Sequence, residues 1–435
     1  MHFTYPDRLE ILPLTKIPST SVRVPGSKSI TNRALVLAAL HSDGFECSLG
    51  NFLESEDTEV MLTALKQLGF DVFSEPMVSG VRISRNVFSE RSPYLIPATK
   101  ADLFVANSGT TMRFLTGMLA LGHGRYRLDG VPRMRERPIH DLLDALQQLG
   151  VQATSEGNNG CPPVIIEANG LRGGTVRIRA DVSSQFLSGL LMAAPFADSP
   201  VTIEIEGPVV SEPYIDMTIQ MMRHWGDSVT HEGRSFHISP QRGEAPRNYF
   251  IEPDASAASY FFGLAAITGG RITVEGFPEV SLQGDIHFVD ALEQMGCRVE
   301  KCEAGITVHG RPLRGIDLDM NAISDTVMTL GVVACFAEGP TTIRNVAHIR
   351  HKETDRLAAL ANELRKIGAE VEEWDDGLKI TPRPLHGAII ETYNDHRMAM
   401  SLALAGLKVP GVIINNPGCV AKTYPGFWDD LKRVN

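Results

Sequence analysis

A chain of 435 residues with 43% hydrophobic and 21% charged residues has the composition of an ordinary folded protein of two or three domains, which excludes a disordered chain. A formal net charge of −11 excludes general nucleic-acid binding, because phosphate-backbone affinity needs an excess of Lys and Arg on one face; an anionic ligand must meet a local cationic pocket instead. The six cysteines are scattered without a C-x-x-C pair, so neither a disulfide framework nor a zinc ribbon is indicated. No apolar run approaches the ~20 residues of a membrane span. The start, MHFTYPDRLEILP, has neither the basic flank nor the long apolar core of a signal peptide, so a soluble, cytoplasmic protein with no membrane partner is expected.

In chain order, the first distinctive stretch is VPGSKSITNR, which runs into ALVLAAL. Small residues lead into a helix whose start carries Lys28, Arg33 and several hydroxyls. A nucleotide P-loop needs G-x-x-x-x-G-K-[ST], whereas here Ser27 separates Gly26 from Lys28 and Val22 occupies the place nearest the missing first glycine, so an ATP site is not implied. A helix N-terminus still attracts phosphate or carboxylate, and the two cations would add full charges to that partial one. A capped core helix with solvated cations is the alternative, and on this stretch alone both stay open.

Further along, the chain repeats itself. MLTALKQLGFDV, LLDALQQLGVQA, TIQMMRHWGDSV, FVDALEQMGCRV and LANELRKIGAEV share one pattern, with Gly69, Gly150, Gly226, Gly296 and Gly368 about 70 to 80 residues apart. Each reads as an amphipathic helix closed by a C-cap glycine and followed by a strand, and four of the five run through a polar turn into a second strand; the first, around EPMVSGVRI, has a longer turn. Between them lie six helices that are apolar nearly all round and so are expected to be buried, opening at GSKSITNRA, NSGTTMRF, SSQFLSG, DASAASYF, SDTVMTL and NDHRMAM. The unit is buried helix, strand, surface helix, strand and strand, six times with the last copy truncated. Two similar halves of three units each would present six positive helix ends to the cleft between them.

The residues that open these helices carry a resemblance. From GSKSITNRA through NSGTTMR, PRMRERPI, SSQF, SEPYID, DASAASY, SDTVMT and KETDR to YNDHRMAM and AKTYPGFW, the chain resembles the 5-enolpyruvylshikimate-3-phosphate synthase family over nearly its whole length. The resemblance implies a two-domain inside-out α/β barrel, each domain three βαβαββ repeats with buried helices. One domain would span 22–251 and the other 1–21 plus 252–435, with the active site in the cleft between them. It implies transfer of the carboxyvinyl group of phosphoenolpyruvate to the 5-hydroxyl of shikimate 3-phosphate through a tetrahedral intermediate, with phosphate released. Such chemistry needs a base near the hydroxyl, an acid/base near the methylene, and cations around every charged oxygen.

By the same resemblance Asp325 is the base at the acceptor hydroxyl, although on its own it reads as a helix cap. Glu353 and Lys28 are the two candidates for protonating the methylene, and His396 lies within reach of the donor phosphate. The two substrates carry roughly six negative charges, so cations must converge. Arg113, Arg133, Arg356, Arg397 and Lys422 would surround phosphoenolpyruvate together with Lys28, Asn107, Gln185, Glu353, His396 and the N–H groups of Gly109 and Thr110. Ser183, Ser184, Ser211 and Lys352 would hold the 3-phosphate of the acceptor, Arg33 its carboxylate, and Ser29, Gln185, Tyr214, Lys28 and Asp325 its remaining polar edges.

Two positions depart from the family pattern. His348 stands where many members have Asn, which would make its contact with the acceptor sensitive to pH near neutrality. Phe114 stands where many have Pro, which could shift that helix start. Gly109 is retained where bulkier residues accompany glyphosate resistance, so the resemblance implies sensitivity. No cofactor is implied, and His348 with His351 lacks a third ligand at zinc spacing. No heptad stands out, and a monomer is expected.

The related cell-wall transferase that acts on UDP-N-acetylglucosamine typically has a GAKN-type start and a loop cysteine. Here the start is GSKS, and LDGVPRMRERPI has no cysteine. A non-catalytic sugar-phosphate sensor would have lost an acid/base group, yet all four are present. An RNA-end-processing relative would need a basic surface.

Overall fold

The computed structural model describes residues 3–42, 46–75, 80–85 and 94–434. The chain forms two compact units, a terminal unit of Met1–Pro25 with Glu252–Asn435 and a middle unit of Gly26–Ile251.

Each apolar run is a helix buried along nearly its whole length. These are α1 (Lys28–His41), α3 (Gly109–Leu119) and α5 (Ser184–Ala193) in the middle unit, and α7 (Ala255–Thr268), α9 (Val327–Ala334) and α11 (His396–Gly406) in the terminal unit. A helix that is apolar on every side has no face to turn to water, so it sits inside. Close approach comes from small residues: a Cβ on Gly117 of α3 would lie 2.4 Å from the carbonyl oxygen of Gly189 on α5. Any larger residue at either position would push the two helices apart.

The amphipathic repeats form α2 (Glu56–Gln67), α4 (His140–Gln148), α6 (Pro213–His224), α8 (Phe288–Gln294) and α10 (Arg356–Lys366). Each buries one stripe, such as Met61, Ala64 and Leu65 in α2. The five repeat glycines all follow in the left-handed region, with φ of 91°, 85°, 83°, 117° and 104° at Gly69, Gly150, Gly226, Gly296 and Gly368. Glycine adopts that conformation without a Cβ clash, so it ends the helix and turns the chain into the next strand.

The described strands form six small sheets. In the middle unit, β6 (Lys100–Phe104) and β7 (His123–Asp129) are parallel and joined through α3, as β10 (Gly174–Ala180) and β11 (Val201–Val209) are through α5. In the terminal unit the same relation holds for β18 (Asp317–Asp319) and β19 (Thr341–Arg344) through α9, and for β22 (Ile389–Ile390) and β23 (Val412–Asn415) through α11. After each surface helix an antiparallel hairpin completes the sheet, for example β20 (Glu370–Trp374) with β21 (Gly377–Thr381). The turn of EPMVSGVRI falls at 76–79, outside the described residues.

Two copies exchange their first strands. β2 (Ser19–Val22) leads into α1 but pairs with β15 (Arg271–Glu275), and β14 (Asn248–Phe250) leads into α7 but pairs with β3 (Cys47–Gly50). Val22 therefore still belongs to the terminal unit, opposite Val274, and the chain leaves that unit only after Pro25. The truncated sixth copy has no hairpin of its own, and β1 (Arg8–Ile11) from the chain start lies antiparallel to β23 instead. The architecture is a two-domain α/β fold of βαβαββ units with helices inside. Among the described residues no helix is long and apolar enough to cross a membrane.

Candidate active site

In the middle unit α1 packs on α3 and α3 on α5, which brings three helix starts together. Ser27, Ser108 and Ser183 cap them, accepting from the backbone N–H of Ile30 at 3.5 Å, Thr111 at 3.4 Å and Gln185 at 3.2 Å. The Asn32 amide donates to Thr110 Oγ1 at 2.6 Å, tying the start of α1 to that of α3. Lys28 Nζ lies 3.5 Å from Asp57 in the first turn of α2, and both side chains are largely buried. The cations of GSKSITNR are thus not a solvated surface set.

Arg33 is fully buried, and burial lowers its pKa to about 10, with Tyr214 acting the other way. Its Nε donates to Thr218 at 2.7 Å, Nη1 to the Ser29 carbonyl at 2.9 Å, and Nη2 to Ser188 at 3.2 Å and the Tyr214 carbonyl at 3.0 Å. Those bonds take four of the five N–H groups of a guanidinium, and the fifth, on Nη1, could serve an anionic ligand. Phe114 lies within α3, well past its start at Gly109, and its ring centre is 5.0 Å from the Arg33 guanidinium carbon. It braces Arg33 by a cation–π contact; the start of α3 remains capped by Ser108. Ser183 and Ser184 open α5, the carbonyl of Ser211 accepts from Tyr214 N at 3.1 Å ahead of α6, and α5 packs on α6. Gln185 lies half-buried in the first turn of α5.

At the start of α3 two buried guanidinium groups flank Gly109. Arg113 donates to the Pro138 carbonyl at 2.8 Å, and Arg137 donates to the Asn107 carbonyl at 3.1 Å. A Cβ on Gly109 would lie 2.5 Å from Arg137 Nη2 and 3.1 Å from Arg113 Nη1. Two cations and a helix N-terminus at one point make an anion site.

The resemblance assigns Arg133 of this run to the donor, whereas the guanidinium beside Gly109 is that of Arg137, which no sequence signal singles out. The structure separates the three arginines of PRMRERPI: Arg133 pairs with Glu136 at 2.9 Å with its side chain one-third exposed, Arg135 pairs with Asp129 at 2.7 Å, and Arg137 alone is buried beside Gly109. Nothing local in the run distinguishes them.

The terminal unit holds a second cluster. Arg356, fully buried at the first position of α10, reaches three carboxylates: Asp325 at 3.0 Å, Glu353 at 2.8 Å and Asp395 at 2.8 Å. Burial alone would lower its pKa, but Asp395, Glu353 and Asp325 outweigh burial and the value is raised. Arg397 holds the other oxygen of Asp325 at 2.6 Å, and Lys422 Nζ lies 3.9 Å from Glu353. The buried carboxylates of Glu353 and Asp395 and the partly buried one of Asp325 therefore face three buried cations, with the His396 ring 3.7 Å from Asp395.

Asp325 is not a helix cap. It sits in the tight turn Asn321–Thr326 ahead of α9, and its carboxylate is spent on the two arginines. Asp395 is the cap of α11, accepting from Arg397 N at 2.9 Å, and it also anchors Arg356. Its signal in the sequence is that of a cap only. Lys352 and His348 lie in and beside the turn Ala347–His351, which packs on α10. The expectation that His348 titrates near neutrality is corrected: burial, helped by the Lys352 charge, pushes its pKa down to about 3, so the ring is neutral throughout the physiological range.

The family model of EPSP synthase (3-phosphoshikimate 1-carboxyvinyltransferase) matches residues 15–431. A 3-phosphoshikimate 1-carboxyvinyltransferase of Trichormus variabilis is 48% identical over 424 residues, covering 97% of this chain and 98% of that protein. One from Vibrio atlanticus is 46% identical, covering 99% and 100%. Among solved structures, an EPSP synthase from Acinetobacter baumannii superposes with a TM-score of 0.79 at 27% identity, covering 98% of both chains. An enolpyruvyl transferase, NikO from Streptomyces tendae, shares the fold with a TM-score of 0.76 at 20% identity, covering 98% of this chain and 97% of that one. The match to EPSP synthases over nearly the whole chain places it in the enolpyruvyl transferase class. The chain belongs to the EPSP synthase family.

Proposed function

We propose that the chain transfers the carboxyvinyl group of phosphoenolpyruvate to the 5-hydroxyl of shikimate 3-phosphate, in the cytoplasm and as a monomer, serving aromatic amino-acid synthesis. The observation that carries the residue assignment is Asp325, a carboxylate held by Arg356 and Arg397 in one cluster with Glu353 and Lys422. Asp325 takes the proton of the acceptor hydroxyl as its oxygen bonds to the enol carbon of the donor. Glu353 or Lys28 delivers a proton to the methylene, giving the tetrahedral intermediate; loss of a methyl proton and of phosphate then restores the double bond.

Arg113, Arg137, Arg356, Arg397, Lys422 and the N–H groups of Gly109 and Thr110 stabilise the donor's carboxylate and phosphate, with His396 and Asn107 beside them. Ser183, Ser184, Ser211 and Lys352 bind the acceptor phosphate, and Arg33 its carboxylate through the remaining Nη1 hydrogen. Ser29, Gln185, Tyr214 and a neutral His348 complete the polar edge. The third-exposed, Glu136-paired side chain of Arg133 makes Arg137 the better candidate of the two.

The test is phosphate release from phosphoenolpyruvate with shikimate 3-phosphate as acceptor, beside UDP-N-acetylglucosamine and a Glu353→Ala variant. Release with shikimate 3-phosphate alone, greatly reduced in the variant, is the expected result. Release with the nucleotide sugar, or tight binding without release, overturns the reading.

A further inference from the structure

The surface helices share one pattern, and α10 breaks it at a position that the other four keep apolar. Five residues ahead of the repeat glycine those copies carry Ala64, Ala145, Met221 and Ala291, all buried. In α10 the same position holds Glu363, which is fully buried. Four copies build the surface helix and the hairpin after it without a charge here, so the fold does not call for one. A buried carboxylate is costly unless it is paired and hydrogen-bonded. Nothing in the reaction proposed above uses Glu363.

Both of its oxygens are bonded to the segment that leads into α11. Tyr393 Oη donates to Glu363 Oε1 at 2.7 Å and the Glu391 N–H to Oε2 at 3.0 Å, while Lys366 Nζ lies 2.9 Å from Oε1. Between Glu391 and the cap Asp395 stand Tyr393 and Asn394, each at a φ of 54°. Among the described residues this is the one place where two consecutive non-glycine residues are left-handed. Asn tolerates that conformation but a bulky ring does not, so it persists only where the surroundings hold it. Asp395 N closes the turn on the Thr392 carbonyl at 2.8 Å, and Asn394 Oδ1 accepts from Asn416 Nδ2 at 3.2 Å. Next come Asp395, which anchors Arg356 at 2.8 Å, then His396, then Arg397, which holds Asp325 Oδ2 at 2.6 Å.

We propose that Glu363 is a positioning residue for the donor site: it clamps the left-handed turn at Tyr393 and Asn394 and so fixes where α11 begins, which aims Arg397 and His396 at phosphoenolpyruvate. The inference rests on those two side chains being donor ligands, as proposed above. Glu363 acts through the backbone of 391–395 rather than on substrate. Without the clamp the turn relaxes away from the left-handed region, the first turn of α11 loses its fixed place, and binding loses the advantage of a guanidinium oriented beforehand.

The experiment is steady-state kinetics of the full chain, each substrate varied with the other saturating, in the wild type, Glu363→Ala, Tyr393→Phe and Arg397→Met. Glu363→Ala installs the residue that three other copies carry at this position and removes both bonds to the turn. The KM for phosphoenolpyruvate is expected to rise about tenfold. Tyr393→Phe removes one of the two bonds from an exposed side chain and should raise the same KM severalfold. The KM for shikimate 3-phosphate, most of whose proposed ligands lie in the middle unit, should stay within about twofold in both variants. A purely structural role leaves less active enzyme, which lowers kcat and moves neither KM; that outcome, or an equal rise for both substrates, overturns the inference. If Glu363→Ala does not fold, Tyr393→Phe carries the test on the same terms. Arg397→Met separates the two readings. An unchanged KM for phosphoenolpyruvate there overturns the assignment of Arg397 to the donor, whereas a raised one there with no rise in Glu363→Ala or Tyr393→Phe overturns this inference alone.

Discussion

Arg356 and Asp325 meet at 3.0 Å in the interior of the terminal unit, and the same guanidinium holds Glu353 and Asp395 at 2.8 Å each. One buried cation thus fixes the expected base, the expected acid and the cap of α11. Removing one member of a buried pair costs about 3–5 kcal/mol, because the charge left behind is uncompensated. Arg356→Met is expected to lose stability in that range and to lose activity, measured by urea denaturation and phosphate release. A stability change under about 1 kcal/mol would mean that the cluster behaves as an exposed one.

A Cβ added to Gly109 would lie 2.5 Å from the Arg137 guanidinium and 3.1 Å from that of Arg113, which leaves no room for a methyl. Both contacts are with ends of long side chains, so Gly109→Ala should fold and displace them. Losing one charge-assisted hydrogen bond, worth about 1.5–3 kcal/mol, raises the KM for phosphoenolpyruvate by about tenfold to a hundredfold. The KM for shikimate 3-phosphate should change little, and inhibition by glyphosate should weaken. Equal loss for both substrates would sink this account.

The three arginines of PRMRERPI should differ in kinetics as they do in placement. Arg137→Lys loses a buried planar fork beside Gly109, and the KM for phosphoenolpyruvate should rise by at least about tenfold. Arg133→Lys keeps the charge opposite Glu136 on a side chain one-third exposed and should stay within about twofold of the wild type. The reverse ranking would place Arg133 at the donor.

His348 gives stability a pH dependence of known sign. Its pKa is pushed down to about 3 in the folded protein against an ordinary value of about 6.5, so between those values the unfolded chain binds a proton that the folded one refuses. The contribution is present above about pH 6.5 and is lost as pH falls toward 3. Between pH 7.5 and pH 5 it amounts to about 2 kcal/mol. Urea midpoints at the two pH values should therefore fall less in His348→Asn than in the wild type; parallel falls would mean that His348 titrates normally.

The repeats are legible in the sequence because each device that makes them is local. A glycine at φ near 90° ends each surface helix within one turn, and an all-round apolar run is buried whatever surrounds it. Asp325, Glu353, His396 and Lys28 are singled out by the resemblance and by no local pattern, since Asp325 on its own reads as a helix cap and Glu353 as one solvated glutamate among many. Other features depend on residues far apart in the chain. The exchange of β2 and β14 pairs Val22 with Val274 and Phe250 with Gly50, and no local pattern encodes a partner some 200 residues away.

Asp395 looks like a cap alone, because its second role is written in Arg356, 39 residues earlier. Arg137 looks like its neighbours Arg133 and Arg135, because only the packed start of α3 decides which guanidinium is buried. His348 looks like a group that titrates near neutrality until burial keeps it neutral. The sequence by itself determined the elements, their repetition and the residue types at the helix starts, since these follow from short-range propensity and capping. Tertiary structure alone decided which charges share an interior, because desolvation and Coulomb terms are set by neighbours in space.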